Sequence, residues 1–202
     1  IFQSISQALL AISGQLPLLM MGKFYGLEAA GIFAIAQQIL EVPTKFVSKS
    51  ISQVYFSEIS SIGTQNTKKI KSLTSSLIKK INYYCVIPLI LLVIVAPKII
   101  DVLFSEQWAQ AGHYLRPLIF IYWSRMIDPI ISMLFLTYER LEILTLKNII
   151  RIVLVFSIFF GGNYLNLTIN NILLLYSILI CTINILSILY SFLFMNKYLK
   201  SQ

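Results

Sequence analysis

Glu41, Lys45 and Lys49 recur every four residues in a stretch otherwise rich in Ile, Ala, Val and Phe, and Gln37 and Gln38 stand about one helical turn ahead of Glu41. At 100° per residue, as an α-helix advances, these five side chains share an arc of about 140° with Thr44, Ser48 and Ser52. Ile32, Ile35, Ile39, Val42, Phe46 and Val54 fall on the opposite side. Lipid does not tolerate such a stripe, so it must face water or protein. The chemistry it offers is non-covalent: ammonium groups and amides that hold an anion or a polar ligand. Glu41 stands at the i,i+4 spacing that pairs it with Lys45. Arg125 and Asp128 lie three apart inside another apolar stretch, hence on one face. They either close an internal salt bridge or serve a polar path. Arg151 follows Lys147 by one turn at the head of a third stretch. Lys147 is expected to snorkel to the interface, and Arg151, deeper, fits either role. An arginine at the bilayer centre costs on the order of 2.5–3.5 kcal/mol on insertion scales, so it points into a bundle.

Nothing around these residues looks like covalent or metal chemistry. His113 is the single histidine, at an expected external loop, and the eight acidic residues are scattered. No His, Asp or Glu cluster has metal-ligand spacing. There is no G-x-S-x-G elbow and no Gly-rich phosphate loop. Cys85 and Cys181 sit inside apolar runs without a C-x-x-C. The expectation is a protein that is not an enzyme and needs no metal or cofactor. Buried charged and amide groups are then the mark of a transport pathway.

The elements that carry these groups follow from composition. Of 202 residues, 57% are hydrophobic and 12% charged, with a mean hydropathy of +0.81. A soluble domain is about 45–50% apolar and about 25% charged, so too little polar surface exists here for water. The net charge of +8 does not call for nucleic acid, because the lysines of the run 59–72 lack interleaved stacking aromatics. That run reads as an interfacial lead-in to anionic headgroups.

The fold class is all-α, a polytopic membrane protein with six transmembrane helices in one bundle. The spans are expected at 2–21, 27–54, 77–95, 114–136, 143–160 and 172–195, each near the roughly 20 residues that cross a bilayer. Short turns join them, so residues 1–202 form one domain. In the first span Gln3, Gln7 and Gly14 share a face, either for packing or for lining a cavity. The sixth carries no charge and is expected at the lipid-facing periphery. All six prolines fall in or at the ends of spans. With alternating spans, Lys68, Lys69, Lys71, Lys79, Lys80, Arg140, Lys147, Arg151, Lys197 and Lys200 share one side. Only Lys23, Lys98 and Arg116 occupy the other. The positive-inside rule places the first group, and both ends of the chain, in the cytoplasm.

Several short motifs carry a family resemblance. They are Leu16-Pro17, Tyr25 to Gly31, Ala34 to Gln37, Pro43, and Gln53 to Phe56. A second group is Phe104-Ser105-x-x-Trp108-Ala109-x-Ala111-Gly112-x-Tyr114-Leu115-Arg116. In order and spacing the chain resembles the second half of a polysaccharide-biosynthesis flippase of the multidrug/oligosaccharidyl-lipid/polysaccharide exporter superfamily. Members often carry a basic residue directly after Ala-Gln, where this chain has Gln38.

The resemblance implies two six-helix bundles around a V-shaped cavity in the bacterial cytoplasmic (inner) membrane, with the N-terminal bundle on a missing half of the protein. A chain that begins at Ile1 within a span fits that expectation. The implied cargo is a polyprenyl-pyrophosphate-linked oligosaccharide for O-antigen or capsule-type polysaccharide, and the implied partners are that cargo, membrane lipid and the missing half. Lys45, Lys49, Arg125 and Arg151 are candidates for the pyrophosphate, with Glu41 and Asp128 as their counter-charges. Gln37, Gln38, Ser48, Ser52 and Asn148 are candidates for the sugar. Two alternatives stand beside this reading. A cation-coupled multidrug antiporter of the same superfamily would use Glu41 or Asp128 as its cation site. A membrane-embedded polymerase or ligase would need a large external loop.

Overall fold

A computed structural model of the chain describes residues 2–103 and 106–201, with backbone alone for 2–7, 101, 103, 106, 107, 109 and 201. The described chain is helical throughout, without a strand. Its helices are α1 (Phe2–Tyr25), α2 (Leu27–Ile62), α3 (Thr67–Leu103), α4 (Glu106–Thr137), α5 (Leu141–Tyr164) and α6 (Ile169–Ser201). One 3₁₀ turn, Thr64–Asn66, leads into α3.

The breaks between helices are short, and backbone geometry sets them. Gly26 (φ 90°) and Gly63 (φ 74°) stand where the chain turns into and out of α2, in a region that a Cβ disfavours. The ends of α4 and α5 close with Schellman motifs. At the first, Arg140 N–H donates to Phe135 O at 2.8 Å and Glu139 N–H to Leu136 O at 3.1 Å. At the second, Leu167 N–H donates to Gly162 O at 2.9 Å and Asn166 N–H to Asn163 O at 3.1 Å. Glu139 (φ 57°) and Asn166 (φ 51°) take the left-handed position that glycine usually fills. All six prolines lie inside helices.

Five helices are long and apolar enough to cross a membrane: the spans are Ala8–Tyr25, Thr64–Ile100, Gln110–Thr137, Leu141–Tyr164 and Ile169–Lys200. α2 is the exception. Its charged and amide stripe lowers its hydropathy, although its 36 residues reach about 54 Å. The polar run 59–72 is largely helical: α2 continues to Ile62 and α3 begins at Thr67. The connection between the expected spans 114–136 and 143–160 shrinks to 138–140, because Leu141 already starts α5.

α4 is the hub. It packs on α2, α6 and α3, while α1 packs on α5 and α2. Lipid is as apolar as leucine, so close van der Waals fit and interhelical hydrogen bonds must hold the helices together. Tyr55 and Thr74 share a 2.7 Å hydrogen bond between α2 and α3. Trp123 Nε1 on α4 donates to Asn82 Oδ1 on α3 at 2.8 Å. α3 and α4 approach closely at Gly112, where a Cβ would stand 2.9 Å from both Cα and Cβ of Pro97.

α6 keeps an exposed apolar face, with Leu186, Leu189 and Leu193 open as in a lipid-facing helix, and has a buried face as well. It lies against α4 and buries Leu173, Tyr176, Ser177, Ile180, Asn184, Ser191 and Met195. Its polar groups are scattered among apolar ones, so the uncharged sequence shows no distinct buried face.

Candidate functional site

The stripe on α2 divides in the structure. Thr44, Ser48 and Ser52 turn inward and are buried. Their hydroxyls are occupied by the helix itself: Thr44 Oγ1 donates to Leu40 O at 2.7 Å, Ser48 Oγ to Lys45 O at 3.2 Å and Ser52 Oγ to Lys49 O at 3.0 Å. Ser48 and Ser52 therefore sit on a packing face and not among the accessible groups. Gln38, Lys45 and Lys49 are exposed. The ion pair expected between Glu41 and Lys45 forms, with the Lys45 side chain 74% exposed and that of Glu41 25%. Gln37 is half-buried beside the Tyr122 hydroxyl.

Glu41 links this stripe to α4, because it is near enough to Arg125 to act on it electrostatically. Arg125 does not pair with Asp128 as its i,i+3 spacing suggested. Its nearest polar partners are the hydroxyls of Tyr122 and Tyr176, each at 3.4 Å, and its guanidinium lies over the Tyr122 ring at 5.1 Å. Among the described residues no carboxylate lies within 4.0 Å of Arg125.

Asp128 turns the other way, to α5. Lys147 Nζ meets its Oδ1 at 2.5 Å and Arg151 Nη2 its Oδ2 at 3.6 Å. Lys147 does not snorkel to the interface, since its side chain is 7% exposed. A buried carboxylate nearby repays inward burial of the ammonium, and the snorkelling argument left that partner out. The chain of contacts then closes through α6. Arg151 Nη2 donates to Asn184 Oδ1 at 3.0 Å, and Asn184 Nδ2 donates to Ser124 Oγ at 2.9 Å. Ser124 Oγ in turn donates to Ile121 O at 2.9 Å. Asn148, also buried, lies beside this group on α5.

The structure thus builds two different assemblies from the candidate residues. Gln37, Gln38, Glu41, Lys45 and Lys49 form a row along α2 whose outer members are exposed, and Glu41 connects it to the part-buried Arg125 of α4. Asp128, Lys147 and Arg151 form a closed trio that ties α4, α5 and α6. Lys147, Tyr122, Tyr176, Ser124 and Asn184 were missing from the expected set. A lone Asn inside the apolar run 172–195 was the available signal, since an amide there needs a partner. The side chains of Gln3 and Gln7, and the residues Phe104 and Ser105 of the second motif, lie outside the described residues.

The motifs that are described meet each other. Gly31 of α2 lies against the Trp108 ring, 3.7 Å from where its Cβ would stand, and Gly112 packs on Pro97. They hold α2, α3 and α4 together at the end opposite the lysine run. This is the part of the chain, residues 2–113, that matches the model of a family described as polysaccharide biosynthesis protein. The chain belongs to that family. No curated protein and no solved structure matches it. With five helices apolar enough to span a bilayer, this polysaccharide biosynthesis protein is a multi-pass membrane protein. The closed trio joins α4 to α5 and reaches α6 through Asn184.

Proposed function

We propose that this polysaccharide biosynthesis protein is one six-helix lobe of a flippase that carries polyprenyl-pyrophosphate-linked oligosaccharide across the cytoplasmic membrane. The observation that carries the reading is Arg125. It is a guanidinium in an apolar helix, held by two tyrosine hydroxyls at 3.4 Å and flanked by the Glu41–Lys45 pair. A pyrophosphate is a ligand that such a row suits, because Arg presents a planar fork of donors to phosphate oxygens. Lys45 adds a mobile ammonium that Glu41 holds in place until the anion arrives. Lys49 extends the positive row by one turn, and Gln37 and Gln38 offer amides to the sugars. A second lobe supplies the opposite wall and α2 crosses the membrane as the sixth span, its stripe facing that shared cavity.

The antiporter alternative loses support from the same geometry. Asp128 is taken up by two cations and Glu41 by Lys45, which leaves neither carboxylate open to a coupling ion. The test uses full-length protein at matched membrane levels, with surface polysaccharide and the leaflet location of lipid-linked oligosaccharide as readouts. Arg125→Ala and the double variant Lys45→Ala, Lys49→Ala should each trap the lipid-linked repeat unit on the cytoplasmic leaflet. Arg125→Lys should keep partial transport, because charge remains while the fork is lost. Normal polysaccharide in all three variants would exclude the row as the cargo site. Normal export of the repeat unit with failed polymerisation would instead favour an enzyme.

A further inference from the structure

The basic start of α3 is a furrow and not only a charged face. Lys68, Lys71, Ser72, Ser75, Ser76 and Lys79 succeed one another at helical spacing and, with Phe192 of α6, line a hollow of about 460 Å³. No Asp or Glu lines it. Lys71 Nζ donates to Asn196 Oδ1 across the furrow at 2.6 Å, tying α6 to this end of α3. The furrow therefore combines three ammonium groups with three hydroxyls and has no counter-charge of its own.

Below Lys79 both walls turn apolar. On α3 Tyr83, Ile87 and Ile90 are exposed, and on α6 Leu189 and Ile185 are exposed. An ordinary solvated lysine run has no such continuation and no second helix to close it. A ligand that fits is charged at one end and apolar along the rest, and it lies parallel to the helices. We propose that the α3–α6 furrow is a binding site for an anionic phospholipid. Its phosphate sits among Lys68, Lys71 and Lys79, the serine hydroxyls donate to its phosphate oxygens, and its acyl chains follow the apolar walls. Basic hollows between spans at a membrane surface recognise anionic headgroups by this combination of charge and depth. The site is separate from the row on α2 and does not depend on transport.

Lys69 and Lys80 belong to the same turns of α3 but do not line the furrow, so they provide a control of equal charge. The experiment is native mass spectrometry of the full-length protein in non-ionic detergent. Phosphatidylglycerol, phosphatidylcholine of the same acyl chains, and a polyprenyl phosphate are each added in turn. One phosphatidylglycerol should be retained in preference to phosphatidylcholine. Retention should fall about twenty-five-fold in Lys68→Gln, Lys79→Gln, at about fivefold for each lysine removed. It should change little in Lys69→Gln, Lys80→Gln. Equal losses in the two double variants would reduce the effect to general surface charge and overturn the site. Equal retention of the two phospholipids would do the same. Retention of polyprenyl phosphate in preference to phosphatidylglycerol would assign the furrow to cargo and overturn the phospholipid as occupant.

Discussion

Replacing Asp128 by Asn is the sharpest test of the division between an open row and a closed brace. The carboxylate receives Lys147 at 2.5 Å and Arg151 at 3.6 Å, and both cations are nearly buried. Its loss strands two charges, and breaking a buried pair by removing one partner costs about 3–5 kcal/mol. Lys147→Met is milder, because Asp128 keeps Arg151 and the methionine fills the space of the lysine stem, so a cost of about 1–3 kcal/mol follows. The double variant removes one charge of each sign and leaves Arg151 on Asn184. It should be more stable than Asp128→Asn alone, which requires a coupling between the two sites larger than the cost of Lys147→Met, about 3 kcal/mol. The assay is the thermal midpoint of the full-length protein in detergent, read as loss of the monodisperse peak, with surface polysaccharide scored in parallel. If Asp128→Asn left the midpoint unchanged but abolished polysaccharide, the trio would be handling cargo and the brace would be wrong.

Three further outcomes are expected. Gly112→Ala puts a methyl 2.9 Å from the Pro97 backbone, which cannot rotate away, and should lower the thermal midpoint by the equivalent of about 1–3 kcal/mol. Glu139→Gly relieves a left-handed residue at φ 57° and should raise stability by up to about 1 kcal/mol in the same measurement. Cysteines placed at Gln65 and Asn166, in a protein lacking Cys85 and Cys181, should react with an impermeant maleimide from opposite sides of the membrane. Reaction of both from the outside would refute the alternating topology.

Helix content and approximate spans were legible because apolar runs of membrane length have few other uses. Their ends were less so. Hydropathy starts the third span only at Leu77, because Lys68, Lys69 and Lys71 precede it, yet a helix that leaves the bilayer has no reason to stop there, and α3 begins at Thr67. The α2 stripe was visible as a stripe, but periodicity does not distinguish Ser48, whose hydroxyl turns to its own backbone, from Lys49, which remains open. The i,i+3 spacing leaves Arg125 and Asp128 either a pair or part of a polar path, because it describes only their own helix. Asp128 found its partners 19 and 23 residues further on, on α5, and the spacing within α4 carries no record of that. α6 hid its share of the site for a different reason: Tyr176 and Asn184 are uncharged, and the apolar residues around them outweigh them in a window average.

The closed trio also bears on how the chain enters the membrane. α4 is synthesised before α5, so Asp128 leaves the ribosome ahead of both cations that neutralise it. Lys147 follows 19 residues later, a delay of about 1–4 s at 5–20 residues per second. Between the two helices stand only Tyr138, Glu139 and Arg140, so α5 has no course but to fold back along α4. The pair is then best inserted as a hairpin, with the acid held at the translocon until its base arrives. A longer connection would lengthen that wait, which ties the brevity of this turn to biogenesis as well as to the finished bundle.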